Sequence, residues 1–294
     1  MSSFGSGVPD LIALALAEDL GGNHGHWNAD GDVTSRAFIP ADSKACARIV
    51  ARASCVASGL ATAVEVFRKV DPKLELTIAC REGDQLKCDA VLLSIHGSPR
   101  SILSAERTAL NFLGRLCGIA TLARRYADAV AGTGVQLLDT RKTTPGWRLL
   151  EKQAVKAGGC VNHRMGLYDA VLVKDNHLAA LGDLSLLPPV IEKLRADHPG
   201  LAIEIEADTL DQVKRLLTMP GIDVILLDNM SCVLLSEAVA LRAAVAPKIL
   251  LEASGGVTLE SVSAIARTGV DRISVGALTH SSVNADLSLE LERL

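Results

Sequence analysis

The sequence predicts an α/β barrel in its C-terminal portion, preceded by an α+β unit. From residue 135 onward, apolar strand-like runs at 135–141, 170–176, 202–208, 223–229, 248–254 and 271–277 alternate with helical segments such as LDQVKRLLTM and LSEAVALRAAVA. Repeated strand-then-helix units imply a parallel sheet with right-handed crossovers, hence a barrel or a doubly wound sheet. Two observations favour the barrel. No GxGxxG turn follows the first strand, where a dinucleotide-binding sheet would carry one. The strands also alternate in an informative way: Ile203 and Ile205 point one way, Glu204 and Glu206 the other. Ile225 and Leu227 oppose Asp228, Ile249 and Leu251 oppose Glu252 and Ser254, and Ile273 and Val275 oppose Ser274 and Gly276. One face suits packing on helices, and the other turns polar towards the strand's C-terminal end. A closed barrel with a site at its C-terminal mouth accounts for this. Glu204 and Glu252 are the first candidates for acids paired with Arg or Lys inside it, because burying carboxylates without partners is costly.

In chain order, residues 9–20 suit a helix opened by Pro9 and stopped at Gly21-Gly22. A loop follows through GDVTSR at 31–36; its His24 and His26 lack further ligands and read as solvent-facing rather than metal-binding. Strands are expected within 45–59, 74–80 and 90–96, with a helix near 60–69 and a turn at 81–87. No constellation in this half looks catalytic. Residues 104–132 form a long helix with apolar positions at Leu110, Leu113, Leu116 and Leu122; Gly114 and Gly118 permit close packing or a break. Arg107 lies in its first turns and, taken alone, is a solvated helix charge.

At 294 residues the chain holds one large domain or two ordinary ones, and 49% hydrophobic with 22% charged residues fits a soluble globular protein. No run approaches the roughly 20 apolar residues that span a bilayer. The start, MSSFGSGVPD, shows no secretory pattern, so the cytoplasm is the expected location. Seven scattered cysteines without a CxxC pair read as reduced thiols. A net charge of -4 and 3% aromatic residues argue against a nucleic-acid surface.

The stretch 139–177 concentrates charge. Arg141, Lys142, Arg148, Lys152, Lys156, Arg164 and Lys174 fall within it, with His163 and His177 among them. A local basic cluster in an acidic protein suggests an anion site. Arg141, Lys142, His163, Arg164 and Lys174 are expected to meet Glu206 and Asp228 at the barrel mouth. Ser254-Gly255-Gly256 and Gly276-Ala277 follow the last two strands, where barrels commonly hold a phosphate. The ligand looks like a phosphorylated sugar plus a second anionic group. The two acids could hold Mg²⁺, ribose hydroxyls or a developing positive charge.

The segments TRKTTPG at 140–146, GGCVNHRMGLYDAVLVKDNH at 158–177, EIEAD at 204–208, LLDNM at 226–230, EASGG at 252–256 and GVDRISVGALTHS at 269–281 resemble the quinolinate phosphoribosyltransferases. ERTALNFL at 106–113, EDLG and GDVTS fit as well, so the resemblance spans essentially the whole chain. It implies an N-terminal α/β sandwich over 1–115 and a C-terminal open barrel of about seven strands over 116–294, whose last helix could pack back on the sandwich. Six strands are located above, and a segment around 160–164 could supply another. The implied reaction joins quinolinate and phosphoribosyl pyrophosphate to give nicotinate mononucleotide, pyrophosphate and CO2, with Mg²⁺ required.

By motif, Arg141, His163 and Arg164 would bind the quinolinate carboxylates, joined by Arg107 from a neighbouring subunit of a homodimer or higher homo-oligomer. Lys142 and Lys174 would face phosphate and pyrophosphate oxygens, with Thr143 nearby. Glu206 and Asp228 would sit near ribose and metal, with Glu204 the alternative to Glu206. Ser254, Gly255, Gly256, Gly276 and Ala277 would cradle the 5′-phosphate, and His280 is a further candidate. Lys142, Lys174, Glu206 and Asp228 would carry the catalytic electrostatics. Trp147 stands where an aliphatic residue is more usual, and Cys160 follows Gly158-Gly159; neither removes a contact. Competing readings are a related phosphoribosyltransferase acting on another acid without decarboxylation, a Schiff-base lyase using Lys174, and a non-catalytic phosphate-binding protein.

Overall fold

The computed structural model describes residues 11–23 and 26–293. Pro9 and His24 lie outside these residues. The chain divides into two compact units: 1–124 with 144–159 and 282–294, and 125–143 with 160–281. This differs from a single cut at 115: the first division falls at 124–125, within the helix Pro99–Ala129, and 144–159 and 282–294 return to the first unit.

The first unit contains an antiparallel sheet of four strands in the order Leu287–Arg293, Ala45–Ala51, Val91–Gly97, Glu75–Ile78. Alternation decides its faces. Ala45, Ala47, Ile49, Leu93 and Ile95 are buried, whereas Arg48 and His96 are exposed. The C-terminal segment expected as a helix is instead an edge strand, paired in register with Ala45–Ala51. Its alternation of Leu287, Leu289 and Leu291 with Ser288, Glu290 and Glu292 is the period of a strand.

Residues 33–38 form a short helix rather than a loop, because the Asp32 carboxylate accepts the Ser35 N–H at 2.9 Å. The long helix begins at Pro99, five residues earlier than expected, with proline at a position where its missing N–H goes unused. Gly118 does not break this helix. A Cβ there would lie 2.1 Å from the Val283 carbonyl oxygen, so glycine is what lets the returning chain pass. Glu82, in the expected 81–87 turn, caps the helix Leu60–Val70 through the N–H groups of Gly59 and Leu60 at 3.0 and 2.8 Å. Trp147 stacks on Phe112 with centroids 4.6 Å apart, which accounts for an aromatic residue at that position.

Of the basic residues near 148–156, Lys152 is fully buried, so it is not a solvated charge. Its neighbour Glu151 is also fully buried and takes two bonds from the Arg115 guanidinium, at 2.8 and 3.1 Å, and one from the Thr144 hydroxyl at 2.8 Å.

The second unit is built on six parallel strands in the order Gln136–Leu138, Arg272–Ser274, Leu250–Ser254, Val224–Asp228, Ile203–Ala207, Val171–Val173. The first strand in sequence bonds the last, and the others run in simple succession. A barrel requires this order, and a doubly wound sheet, whose order reverses at a switch point, lacks it. Val161 adds a single parallel bridge to Leu138. The segment around 160–164 is thus a bridge rather than a full strand, and the barrel is open between it and Val171–Val173.

Removing one partner of a buried ion pair strands the other, so Glu151→Ala is expected to lower unfolding stability by about 3 kcal/mol. Urea denaturation of the variant measures this.

Candidate active site at the barrel mouth

Register brings the polar side chains together. Glu204 pairs with Val224 and lies beside Leu172; Glu206 pairs with Leu226, Leu226 with Glu252, Glu252 with Arg272, and Ser274 with Leu138. Even-numbered residues therefore share one face across all six strands, and Ile203, Ile205, Ile225, Leu227, Leu251 and Ile273 share the other and are buried.

At the C-terminal ends of the strands this polar face opens into a cavity of about 640 Å³. Its lining includes Arg141, Lys142, His163, Arg164 and Lys174, the acids Glu206 and Asp228, and the Ser254-Gly255-Gly256 turn. Thr143, Gly276, Ala277 and His280 lie outside the lining. Arg107 belongs to the first unit, exposed on its long helix. His280 and Lys142 nonetheless converge over Gly276, where a Cβ would meet His280 Nε2 at 3.1 Å and Lys142 Cδ at 3.2 Å. The Thr279 hydroxyl also donates to the Lys142 carbonyl at 2.7 Å, tying that loop to the short helix Ala277–His280.

Glu204 and Glu206 occupy different depths on the same face. Glu206 lines the cavity, with Lys174 Nζ 3.7 Å away and the Asp175 N–H donating to it at 3.2 Å. Burial pushes its carboxyl up, as do Asp228 and Asp175, against the Asp175 hydrogen bond and the Lys174 charge. Glu204 is deeper and faces His163 Nε2 at 3.1 Å, with Glu252 3.4 Å from the same atom. Burial raises Glu204, opposed by its bond to His163. Arg272 adds a cation to this group and Glu252 a further anion. Burial alone would lower His163, but the bonds and charges of the two glutamates outweigh it and push the ring up to about 9. The Arg164 N–H lies 2.7 Å from His163 Nδ1, which favours a neutral ring. One backbone dipole is weaker than two close carboxylates, so the protonated ring prevails.

Arg164 sits near another cation. Burial first, then the Arg141 charge, pulls its guanidinium down. Its Nη1 donates to the Ala170 carbonyl at 3.1 Å, which leaves other donors of the planar fork for a ligand.

Three contributors were missed in the sequence. Asp139 is fully buried and accepts from the His163 N–H at 2.8 Å and from Asn162 Nδ2 at 2.7 Å, so it sets the course of the loop that presents His163. Its place at the end of an apolar strand run was the available signal. Asn229 lines the cavity in a left-handed backbone conformation, φ 53°, and bonds Asp228 at 2.6 Å. Gly255 must be glycine beside it: its φ is 91° and a Cβ would lie 2.2 Å from Asn229 Oδ1. Asp208 completes a group with Glu206 and Asp228 whose carboxylate oxygens lie within 4.8 Å of one another.

An open parallel barrel with clustered cations, adjoining acids and a glycine turn at its C-terminal mouth defines an enzyme for small polyanionic substrates. The chain matches the family models for the quinolinate phosphoribosyl transferase C-terminal domain over residues 119–290 and N-terminal domain over 32–117. It is 40% identical over 279 residues to a probable nicotinate-nucleotide pyrophosphorylase (carboxylating) of Synechocystis, covering 95% of this chain and 90% of that one. It is 40% identical over 284 residues to a nicotinate-nucleotide pyrophosphorylase (carboxylating) of Mycobacterium leprae, covering 96% of each. The solved structure of the nicotinate-nucleotide pyrophosphorylase of Francisella tularensis superposes with a TM-score of 0.87 at 34% identity, over 97% of this chain and 95% of that one. The chain belongs to the quinolinate phosphoribosyltransferase family.

His163 gains proton affinity on folding. Its ion pairs therefore stabilise the fold fully below about pH 6.5 and lose that contribution as pH rises through about 9. In chemical denaturation across pH 6 to 10, His163→Gln is expected to flatten the alkaline decline of stability seen in the wild-type protein.

Proposed function

We propose that the chain transfers the phosphoribosyl group of phosphoribosyl pyrophosphate to quinolinate with decarboxylation, giving nicotinate mononucleotide, pyrophosphate and CO2. Family membership supports the reaction class. The observation that carries the reading in this structure is the pairing of Arg141 with Arg164 and a protonated His163 in one cavity. Three cations held together call for an anion, and two guanidiniums suit planar carboxylates through bidentate bonds.

In the proposed arrangement Arg141, His163 and Arg164 hold the two quinolinate carboxylates. Lys142 and Lys174 face phosphate and pyrophosphate oxygens, and Ser254, Gly255 and Gly256 take the 5′-phosphate. Gly276, Ala277 and His280 extend that cradle beyond the cavity lining, and Thr143 supports the Lys142 loop. The hard carboxylate oxygens of Glu206, Asp228 and Asp208 suit Mg²⁺, directly or through water. A Mg²⁺ held there would supply positive charge against the pyrophosphate oxygens.

The ring nitrogen attacks ribose C1 as the bond to pyrophosphate breaks. Glu206 and Asp228 stabilise the positive charge that develops on the ribose, and the lysines stabilise the leaving group. The resulting pyridinium accepts the electron pair of the carbon–carbon bond as CO2 leaves, and that ring carbon then takes a proton. Positioning and electrostatics supply the catalysis. A Schiff-base lyase fits less well, because Lys174 is half exposed and shares its surroundings with Glu206 rather than an apolar pocket. We further propose a cytoplasmic homodimer in which Arg107 of each subunit completes the neighbour's site. The free cysteines of the described residues support the location.

Incubation with quinolinate, phosphoribosyl pyrophosphate and Mg²⁺ is expected to release CO2 and nicotinate mononucleotide in equal amounts. A nucleotide product without CO2 points to a related transferase, and no turnover to a binding protein. Arg141→Ala is expected to reduce kcat/KM for quinolinate at least 100-fold, about 2.7 kcal/mol; near-normal kinetics would remove its carboxylate role.

A further inference from the structure

The exposed face of the four-stranded sheet carries a second group of ligating side chains, all within the first unit. Cys46 and His96 are direct cross-strand neighbours, and Cys46 Sγ lies 3.0 Å from His96 Nδ1. The register extends the row on both sides, with Glu292 opposite Cys46 and Glu75 opposite His96. A shallow cavity of about 160 Å³ opens here, lined by Cys46, Arg48, Ser94, His96, Glu290 and Glu292.

We propose that Cys46, His96 and Glu292 bind a divalent transition-metal ion of the zinc type. A thiol, an imidazole and a carboxylate are the ligand set such ions select, with water as the fourth ligand. For the Cys46–His96 pair the geometry permits it, and Glu292 must turn from Arg48 to join them. Zinc–sulfur and zinc–nitrogen bonds at a tetrahedral angle place the two ligand atoms about 3.6 Å apart, so the pair need open only about 0.6 Å from its present 3.0 Å. Side chains on a solvent-facing sheet surface can make that adjustment by small torsions.

The charges favour a metal over a reactive thiol. A nucleophilic cysteine needs an electropositive setting. Here Glu75, Glu290 and Glu292 surround the pair, and the nearby cation Arg48 is drawn to Glu290 and Glu292 at 3.6 and 3.5 Å. Binding exchanges the thiol proton for the metal, with His96 coordinating as the neutral imidazole, so affinity falls as pH falls. Glu292 then leaves Arg48, which keeps Glu290. The carboxylates at the barrel mouth offer hard oxygens without a thiol in their group, so the two sites differ in preference.

Cobalt titration of the intact protein tests this, because a cysteine thiolate on cobalt gives a near-ultraviolet charge-transfer band that oxygen ligands do not. One equivalent is expected to develop the band, and added Zn²⁺ to abolish it. Cys46→Ser should lose the band, and His96→Ala should bind cobalt at least tenfold more weakly, both with unchanged thermal unfolding in the absence of metal. Should Cys46→Ser fail to fold, His96→Ala decides. Absence of the band in the wild-type protein at saturating cobalt, its persistence in Cys46→Ser, or unchanged affinity in His96→Ala would overturn the proposal.

Discussion

The site depends on strand register. A parallel barrel has only one interior face, and side chains reach it at every second residue. Here all six strands are aligned so that even-numbered residues meet inside. A one-residue slip in Ile203–Ala207, Val224–Asp228 or Leu250–Ser254 would take an acid off that face and put an apolar residue in its place. The buried odd-numbered residues oppose such slips, because each would bring apolar area into water. The hydrophobic face thus sets the geometry of the polar one.

The interior then sorts charge by depth. Glu204, Glu252, His163 and Arg272 form a deep group of opposite charges at the base of the cavity, where His163 and Glu252 join its lining, and the two glutamates hold the His163 ring. Asp139 fixes the backbone of the same histidine from the end of the neighbouring strand, Gln136–Leu138, which Val161 bridges. Nearer the mouth, the Arg141 charge acts on Arg164, whose Nη1 bonds the Ala170 carbonyl. Lys174 and Glu206 stand across the cavity as a looser pair. Such a gradient leaves cations where a dicarboxylate would sit and mixed charge where ribose, metal and pyrophosphate would meet.

Much of this was legible in the chain. The alternation of Ile203 and Ile205 with Glu204 and Glu206 showed the polar interior, and strand-then-helix spacing showed the parallel sheet. Glu206 lies nearer the strand's C-terminal end than Glu204, so its place at the mouth was legible; that His163 would face Glu204 and Glu252 where Arg or Lys was expected was not, because the pairing is made between separate strands and a loop. Asp139 was missed because a buried acid that orders a loop looks, in one dimension, like any strand-end charge. The final strand was missed because its partner, Ala45–Ala51, lies more than 200 residues earlier. The burial of Lys152 was not legible, because long cationic side chains are seldom buried and burial depends on tertiary packing rather than local pattern.

The central claim is that the mouth has a polarity, with carboxylate-binding cations at one end and a phosphate cradle at the other. A crystal structure with quinolinate and a non-hydrolysable phosphoribosyl pyrophosphate analogue bound together tests it most directly. The account predicts both quinolinate carboxylates against Arg141, His163 and Arg164, and the 5′-phosphate at Ser254-Gly255-Gly256. A 5′-phosphate lodged on Arg141 and Arg164, with quinolinate at the glycine turn, would contradict it.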